Sequence, residues 1–254
     1  MGPDLDVREA SVTMRGDRFE SVIPMGTQTG PAYVEILARG PFGPTPLAQL
    51  SFRVGEPLPW EFETQWPPDE SGIETTEQAE AYAFDLINTD RVRFGLEPVA
   101  RATVLDDAAF IHSDDMATHG FFGHQSPHTG SVGDRLASVG ARTVFHGENI
   151  ARNGSLFDAE AGLMYSIGHR RNILNPKATH VGLGVSQLGD RAQRQWLLTQ
   201  VFAKLAPIVD PISAKEDVIA ALERARQARG VRRLRIDARL EAAAQDHAEE
   251  GDGT

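Results

Sequence analysis

Phe121-Phe122-Gly123-His124-Gln125-Ser126-Pro127, Gly147-Glu148-Asn149-Ile150 and Gly168-His169-Arg170-Arg171-Asn172-Ile173-Leu174 are the three phrases that decide how this 254-residue chain is read. Each sets one histidine or one carboxylate beside a glycine, where a turn meets a helix or strand. Two imidazoles and a carboxylate brought together can hold a divalent metal or polarise a bound ligand. Their separations, 24 and 21 residues, carry no information alone, because such sites assemble in space. The glycine before Glu148 lets backbone and carboxylate approach a neighbour closely. The plain structural reading of Glu148 and His169 is a buried ion pair or hydrogen bond that pins two loops, since a buried carboxylate needs partners.

Three further phrases lie upstream: Leu86-Ile87-Asn88-Thr89-Asp90-Arg91, Gly95-Leu96-Glu97-Pro98 and His112-Ser113-Asp114-Asp115-Met116-Ala117. The six, in this order, resemble the CAP superfamily (cysteine-rich secretory proteins, antigen 5, pathogenesis-related 1), and within it the cysteine-free bacterial branch. The likeness spans residues 76–205. It implies an α+β chain built on an α-β-α sandwich, an exported protein, and a site of His124, Glu148 and His169 with Asn149 beside them. A divalent cation, Zn²⁺ first, or a small or lipidic ligand is the implied occupant. The chain departs from the family pattern in one place. Eukaryotic members carry a second glutamate three residues after a tryptophan, and here Leu163 and Ser166 stand at those two positions. Two neutral imidazoles and one carboxylate still suit Zn²⁺ with an open position. A two-carboxylate acid/base mechanism loses support, and no His-Glu-x-x-His helix marks a metalloprotease.

The bulk numbers narrow the field. A formal charge of −11 argues against nucleic acid or an anionic membrane as the main partner. Without cysteine, disulfides contribute nothing. No window reaches the length of apolar sequence that a membrane span needs. The first thirty residues, with Asp4, Asp6, Arg8, Glu9 and Arg15 scattered through them, lack a signal-peptide core, so export rests on the family resemblance.

Working outward, residues 1–66 read as a small β-rich domain. Leu50, Phe52 and Val54 alternate with Ser51 and Arg53, Tyr33 to Ala38 forms an earlier apolar run, and the glycines and prolines of 40–46 read as turn. This unit offers no histidine, so a packing role is expected for it. Residues 67–75 read as linker, ending in a capping box of Thr75 and Gln78. A helix then carries Ala79, Ala83, Leu86 and Ile87 on one face. A second, from near Thr103 to near Gly120, carries Leu105, Ala108, Ala109, His112 and Met116, which makes His112 a core histidine. A short helix is expected over 132–139, another after Ser155, and an antiparallel hairpin over 180–204. His119, His128 and His146 read as surface residues. Residues 206–254 repeat the first two helices at an offset of 135, pairing Arg91 with Arg226, Gly95 with Gly230 and His112 with His247. This predicts the start of a second, truncated CAP-like unit, or else a helical-hairpin tail. Three functions follow as alternatives: a binding module, a metal-assisted hydrolase acting on peptide or cell-wall material, and a structural or adhesive surface module.

Overall fold

A computed structural model describes residues 9–24, 27, 29–57, 68–190, 193–207 and 210–251. The close of the expected β-rich unit at 58–66 and the last three residues lie outside them. The chain divides into Met1–Ala206 and Pro207–Thr254.

The first helix, α1 (Thr76–Arg93), starts where the capping box places it. The Thr75 side chain accepts from the Gln78 amide, and the Gln78 side chain accepts from the Thr75 amide. Its buried face is Ala79, Ala83, Ile87 and Arg91, one residue per turn. Arg91 is buried because its guanidinium donates to the carbonyls of Glu97, Ile173, Asn175 and Ala178, tying the helix to two loops. Helix α2 (Thr103–His119) ends on Gly120, which has φ +69°.

Four strands make the central sheet, in the order β5 (Ala100–Arg101), β7 (His180–Leu188), β8 (Gln195–Leu205), β6 (Thr143–Asn153). Only the β5–β7 pair is parallel. Helix α1 and helices α4 (Leu156–Tyr165) and α5 (Ile167–Ile173) cover one face. Leu156, Leu163 and Ile173 pack there with Leu183, Val185, Trp196, Leu198 and Phe202. Helices α2 and α3 (Val132–Ser138) cover the other, where Leu105, Ala108, Ala109 and Leu136 meet Val201 and Ala203. The fold is therefore an α-β-α sandwich. Each large apolar side chain brought to full burial contributes about 1.5–3 kcal/mol.

Gly182 and Gly184 of β7 explain how tightly the second layer sits. A Cβ on Gly182 would lie 2.0 Å from the Leu105 carbonyl carbon, and one on Gly184 2.3 Å from that of Ala109. The backbone of α2 rests directly on the strand, so no side chain fits between.

A two-stranded ribbon precedes the sandwich: β3 (Gly30–Gly40) pairs antiparallel with β4 (Gly43–Val54). The expected turn over 40–46 is narrower than its composition suggests. Only Pro41 and Phe42 lie between the paired Gly40 and Gly43, and Pro44 and Pro46 lie within β4. A two-stranded ribbon has open edges, which is where strand prolines are tolerated. A smaller hairpin, β1 (Thr13–Arg15) with β2 (Arg18–Glu20), stands further upstream. The β3–β4 turn packs on the sandwich: the Phe42 and Phe121 rings are 5.5 Å apart, and the Gln125 amide donates to the Phe42 carbonyl at 3.1 Å.

The second unit is a helical pair, α6 (Pro211–Ala228) and α7 (Ala238–Gly251). Its first helix closes on Gly230 with φ +65°. The Arg226 guanidinium donates to the Arg232 carbonyl, and the Val231 amide to the Arg226 carbonyl.

Candidate functional site

Strand β6 organises the site. Among the described residues it pairs with β8 alone, at the edge of the central sheet, and period-two alternation sends Glu148 and Asn149 to opposite faces. Glu148 turns toward α2 and α3. There its Oε1 meets His124 Nδ1 at 2.9 Å and lies 3.8 Å from His112 Nε2, while Oε2 accepts from Arg135 of α3. Arg135 is 1% exposed and its other terminal nitrogen donates to the Gly130 carbonyl at 2.8 Å. Burial would raise the Glu148 carboxyl, but the His124 hydrogen bond and the Arg135 charge outweigh it and hold the group below its ordinary range. The outcome is an ionised carboxylate with both oxygens engaged.

His112 is fully buried, as its helix stripe predicts, yet it lies against Glu148 rather than in an apolar interior. Neither ring nitrogen has a hydrogen-bond partner, and burial pushes the imidazole down to about 4. It is neutral at physiological pH.

Asn149 faces the other layer and is wholly buried. Its amide donates to the His169 carbonyl at 3.1 Å and to Gln200 Oε1 at 3.0 Å, and its oxygen accepts from Asn172 at 2.9 Å. Asn172 donates as well to the Glu148 carbonyl. This amide network clamps α5 to the edge strand and sets where His169 stands. It also explains Gly147, because a Cβ there would lie 2.5 Å from Asn172 Oδ1. His169 is held down to about 4, first by burial and next by the neighbouring His124.

His124 sits in the loop between α2 and α3 and reaches around the sheet edge. Its side chain is 27% exposed, and its ring centroid is 6.0 Å from that of His169. His124, Glu148 and His169 thus gather at one edge of the sandwich. They do not form a set whose donor atoms all lie within 4.8 Å of one another. Among the described residues Asp115, His119 and His128 form such a set.

Several contributors carry no signal in the sequence. Arg135 reads as an ordinary charged residue of a short helix. The β3–β4 ribbon, expected only to pack, lines the cleft: Gly43 and Pro44 join His124, Gln125, Ser131, Val132 and Glu148 around a cavity of ≈ 380 Å³. The same ribbon delivers Glu35, whose Oε1 accepts from Ser166 at 2.6 Å and Gln49 at 3.0 Å. Ser166 is the residue at the family's second-glutamate position, so a carboxylate from the ribbon stands beside the place where the resemblance finds one missing. Its negative charge pulls against the depression of His169. His146 is exposed and its Nδ1 contacts Thr143 at 3.1 Å.

A second cavity, ≈ 350 Å³, lies between α1 and α4, with Tyr33, Phe94, Phe157, Met164, Tyr165 and Arg170 among its walls. Glu160 borders it, fully buried, with Gln200 donating to Oε2 at 2.6 Å and no partner for Oε1. Burial pushes this carboxyl up to about 8, so it is protonated at neutral pH.

Residues 84–202 match the family model described as CAP, the cysteine-rich secretory protein family, and this part of the chain is a CAP domain of the cysteine-free kind. The chain is 37% identical over 114 residues to YkwD of Bacillus subtilis, covering 44% of each protein. It is 38% identical over 118 residues to the membrane protein YlbC of the same organism, covering 45% of this chain and 33% of that one. It therefore spans less than half the length of these relatives. Among solved structures, an extracellular SCP-domain protein of Bacillus anthracis is 25% identical with a TM-score of 0.46, over 77% of this chain and 67% of that one. No helix among the described residues is long and apolar enough to cross a membrane.

Proposed function

We propose that the chain is an exported CAP-domain binding module whose cleft takes a divalent cation, Zn²⁺ first, through His124 and His169. The supporting observation is the 2.9 Å contact between His124 Nδ1 and Glu148 Oε1. A carboxylate on one imidazole nitrogen fixes the tautomer and raises the basicity of the other, as in a carboxylate–histidine–zinc arrangement. His124 Nε2 is then the nitrogen offered to a ligand. His169 is a neutral imidazole, the form a metal requires.

In this reading Glu148 positions His124 and Asn149 positions His169. Gly43 and Pro44 of the ribbon turn border the cleft beside His124, and Glu35 stands by Ser166 with its charge acting on His169. A bound cation supplies Lewis acidity there. A hydrolytic role is the weaker reading, because Arg135 and His124 engage both oxygens of Glu148 and leave it set to orient rather than to move protons. The aromatic-lined cavity between α1 and α4 favours a second occupant, a small or lipidic ligand, bound independently of the histidines.

Zinc titration of chelator-treated protein tests the first reading. His124→Ala and His169→Ala should each abolish one equivalent while the circular dichroism spectrum is retained. Zinc uptake indifferent to both substitutions would leave only the architecture.

We infer further that residues 206–254 open a second CAP-like unit. Helix α1 shifted by 135 residues falls on α6, end for end, and Arg226 donates to the Arg232 carbonyl as Arg91 does to that of Glu97. Val218, Leu222 and Leu240 are exposed, whereas their counterparts Ala83, Ile87 and Leu105 are buried against the sheet.

A further inference from the structure

Asp115 and His119 are four residues apart on α2 and so share one face of that helix. The His119 Nδ1 atom lies 2.7 Å from Asp115 Oδ1. His128, from the loop that follows, stacks on His119 with ring centroids 3.8 Å apart. One donor atom from each of the three lies within 4.8 Å of the other two. This cluster is distinct from the cleft: it draws on neither His124, Glu148 nor His169.

The carboxylate of this cluster is held for presentation. Asp115 is 5% exposed, and its Oδ2 accepts from the Ser126 hydroxyl and, at 3.1 Å, from the Thr129 hydroxyl. Ser126 Oγ accepts in turn from the amides of His128 and Thr129, each at 2.9 Å. Oδ1 therefore points to the imidazoles while Oδ2 is fixed by the loop. A ligating carboxylate hydrogen-bonded through its second oxygen is the usual outer arrangement of a metal site. The imidazoles, by contrast, are exposed and able to turn onto a shared ion.

We propose that Asp115, His119 and His128 form a second divalent-metal site, of His₂Asp type, that clasps the α2–α3 loop to α2. Imidazole donors select a transition cation over Ca²⁺ or Mg²⁺, and three protein ligands leave a position for water. Zn–N and Zn–O bonds near 2.0–2.1 Å put tetrahedral donors about 3.3 Å apart, so donor atoms that now lie within 4.8 Å of one another draw together on binding. Binding at Nδ1 leaves the single ring proton of His119 on Nε2, so a neutral imidazole ligates the ion and no proton is lost from the ring. The clasped loop is the one that carries His124, so occupancy here steadies the histidine of the cleft.

The test uses the full chain in a His124→Ala/His169→Ala background, which removes the cleft histidines and makes the result independent of the cleft reading. Zn²⁺ is titrated calorimetrically after chelator treatment, and Co²⁺ is followed by its visible ligand-field bands. One equivalent should bind in that background. Adding His119→Ala or His128→Ala should weaken it by roughly 100-fold or more, beyond what the loss of an outer partner costs. Both histidines are exposed, so the fold should survive; Asp115→Asn serves as a third variant if folded. Hydrogen exchange of amides 121–130 should slow when Zn²⁺ is added. Absence of binding in the background, or binding that ignores both histidine substitutions, overturns the proposal.

Discussion

Replacing Arg135 by Met is the sharpest probe of how Glu148 is held. The methionine stem fills the volume of the arginine stem, so the change removes charge and two hydrogen bonds with little loss of packing. Glu148 then remains in a pocket where its side chain is 3% exposed, facing only His124 and His112. Breaking a buried pair by removing one partner costs about 3–5 kcal/mol. The carboxyl has an escape, because it can take a proton. From an ordinary value of 4.5, neutralising it at pH 7 costs about 3.4 kcal/mol, 1.36 kcal/mol for each pH unit. The deficit should therefore saturate near 3–4 kcal/mol at pH 7 and shrink to about 1 kcal/mol at pH 5. The sign is opposite in the parent. There the folded group is depressed, so its stabilisation is present above the ordinary carboxyl value and is lost as pH falls through the folded one. In the variant the folded group is raised, and stability grows as pH falls from 7 toward 4.5. Urea unfolding of both proteins at half-unit pH steps reads the difference directly. A deficit that stays constant from pH 7 to pH 5, or lies under 1 kcal/mol throughout, would refute the account of Glu148.

Glu160→Gln keeps an acceptor for Gln200 and removes a carboxyl pushed up to about 8. The native glutamate loses stability as pH rises through that value, so the variant should gain roughly 3–5 kcal/mol on the parent between pH 5 and pH 9, measured by urea unfolding; an equal effect at both ends would contradict a neutral Glu160. Gly182→Ala forces α2 off β7 and should cost about 1–3 kcal/mol or more, visible as a lowered thermal midpoint. Glu35→Gln should leave the fold intact and weaken zinc in the cleft about fivefold, the scale of a partly exposed charge, as read by competition with a chromophoric chelator.

The parts of the fold set by local chemistry are legible in the chain. The Thr75–Gln78 box places the start of α1, the stripes of α1 and α2 name their buried faces, and Gly120 marks the end of α2. The strand that carries Glu148 is harder to read. Strand β6 lies at the sheet edge, with His146 exposed, Glu148 in a charged pocket and Asn149 in an amide clamp, so neither face shows apolar alternation. Helical period places His112 inside but cannot say that its neighbour is a carboxylate 36 residues away along the chain. The hairpin over 180–204 is legible, but the need for glycine at 182 and 184 shows only once the backbone of α2 is seen resting on them.

The site follows the same division. Glycines beside His124, Glu148 and His169 flag positions of close approach, and Gly147 makes room for Asn172. What each carboxylate does depends on contacts with no local trace: Arg135 reaches Glu148 from a short helix, and Glu35 reaches Ser166 across 131 residues. His119 and His128 read as surface residues one at a time, and they are exposed. Their pairing on Asp115 depends on the loop folding back along α2.

The central claim is that two histidines from opposite layers of the sandwich converge on one ion at the sheet edge. Zinc calorimetry on the His119→Ala/His128→Ala protein, with and without His124→Ala, tests it most directly. One equivalent bound in the first protein and none in the second is the predicted result. An equivalent that persists without His124, or no zinc in either protein, would contradict it.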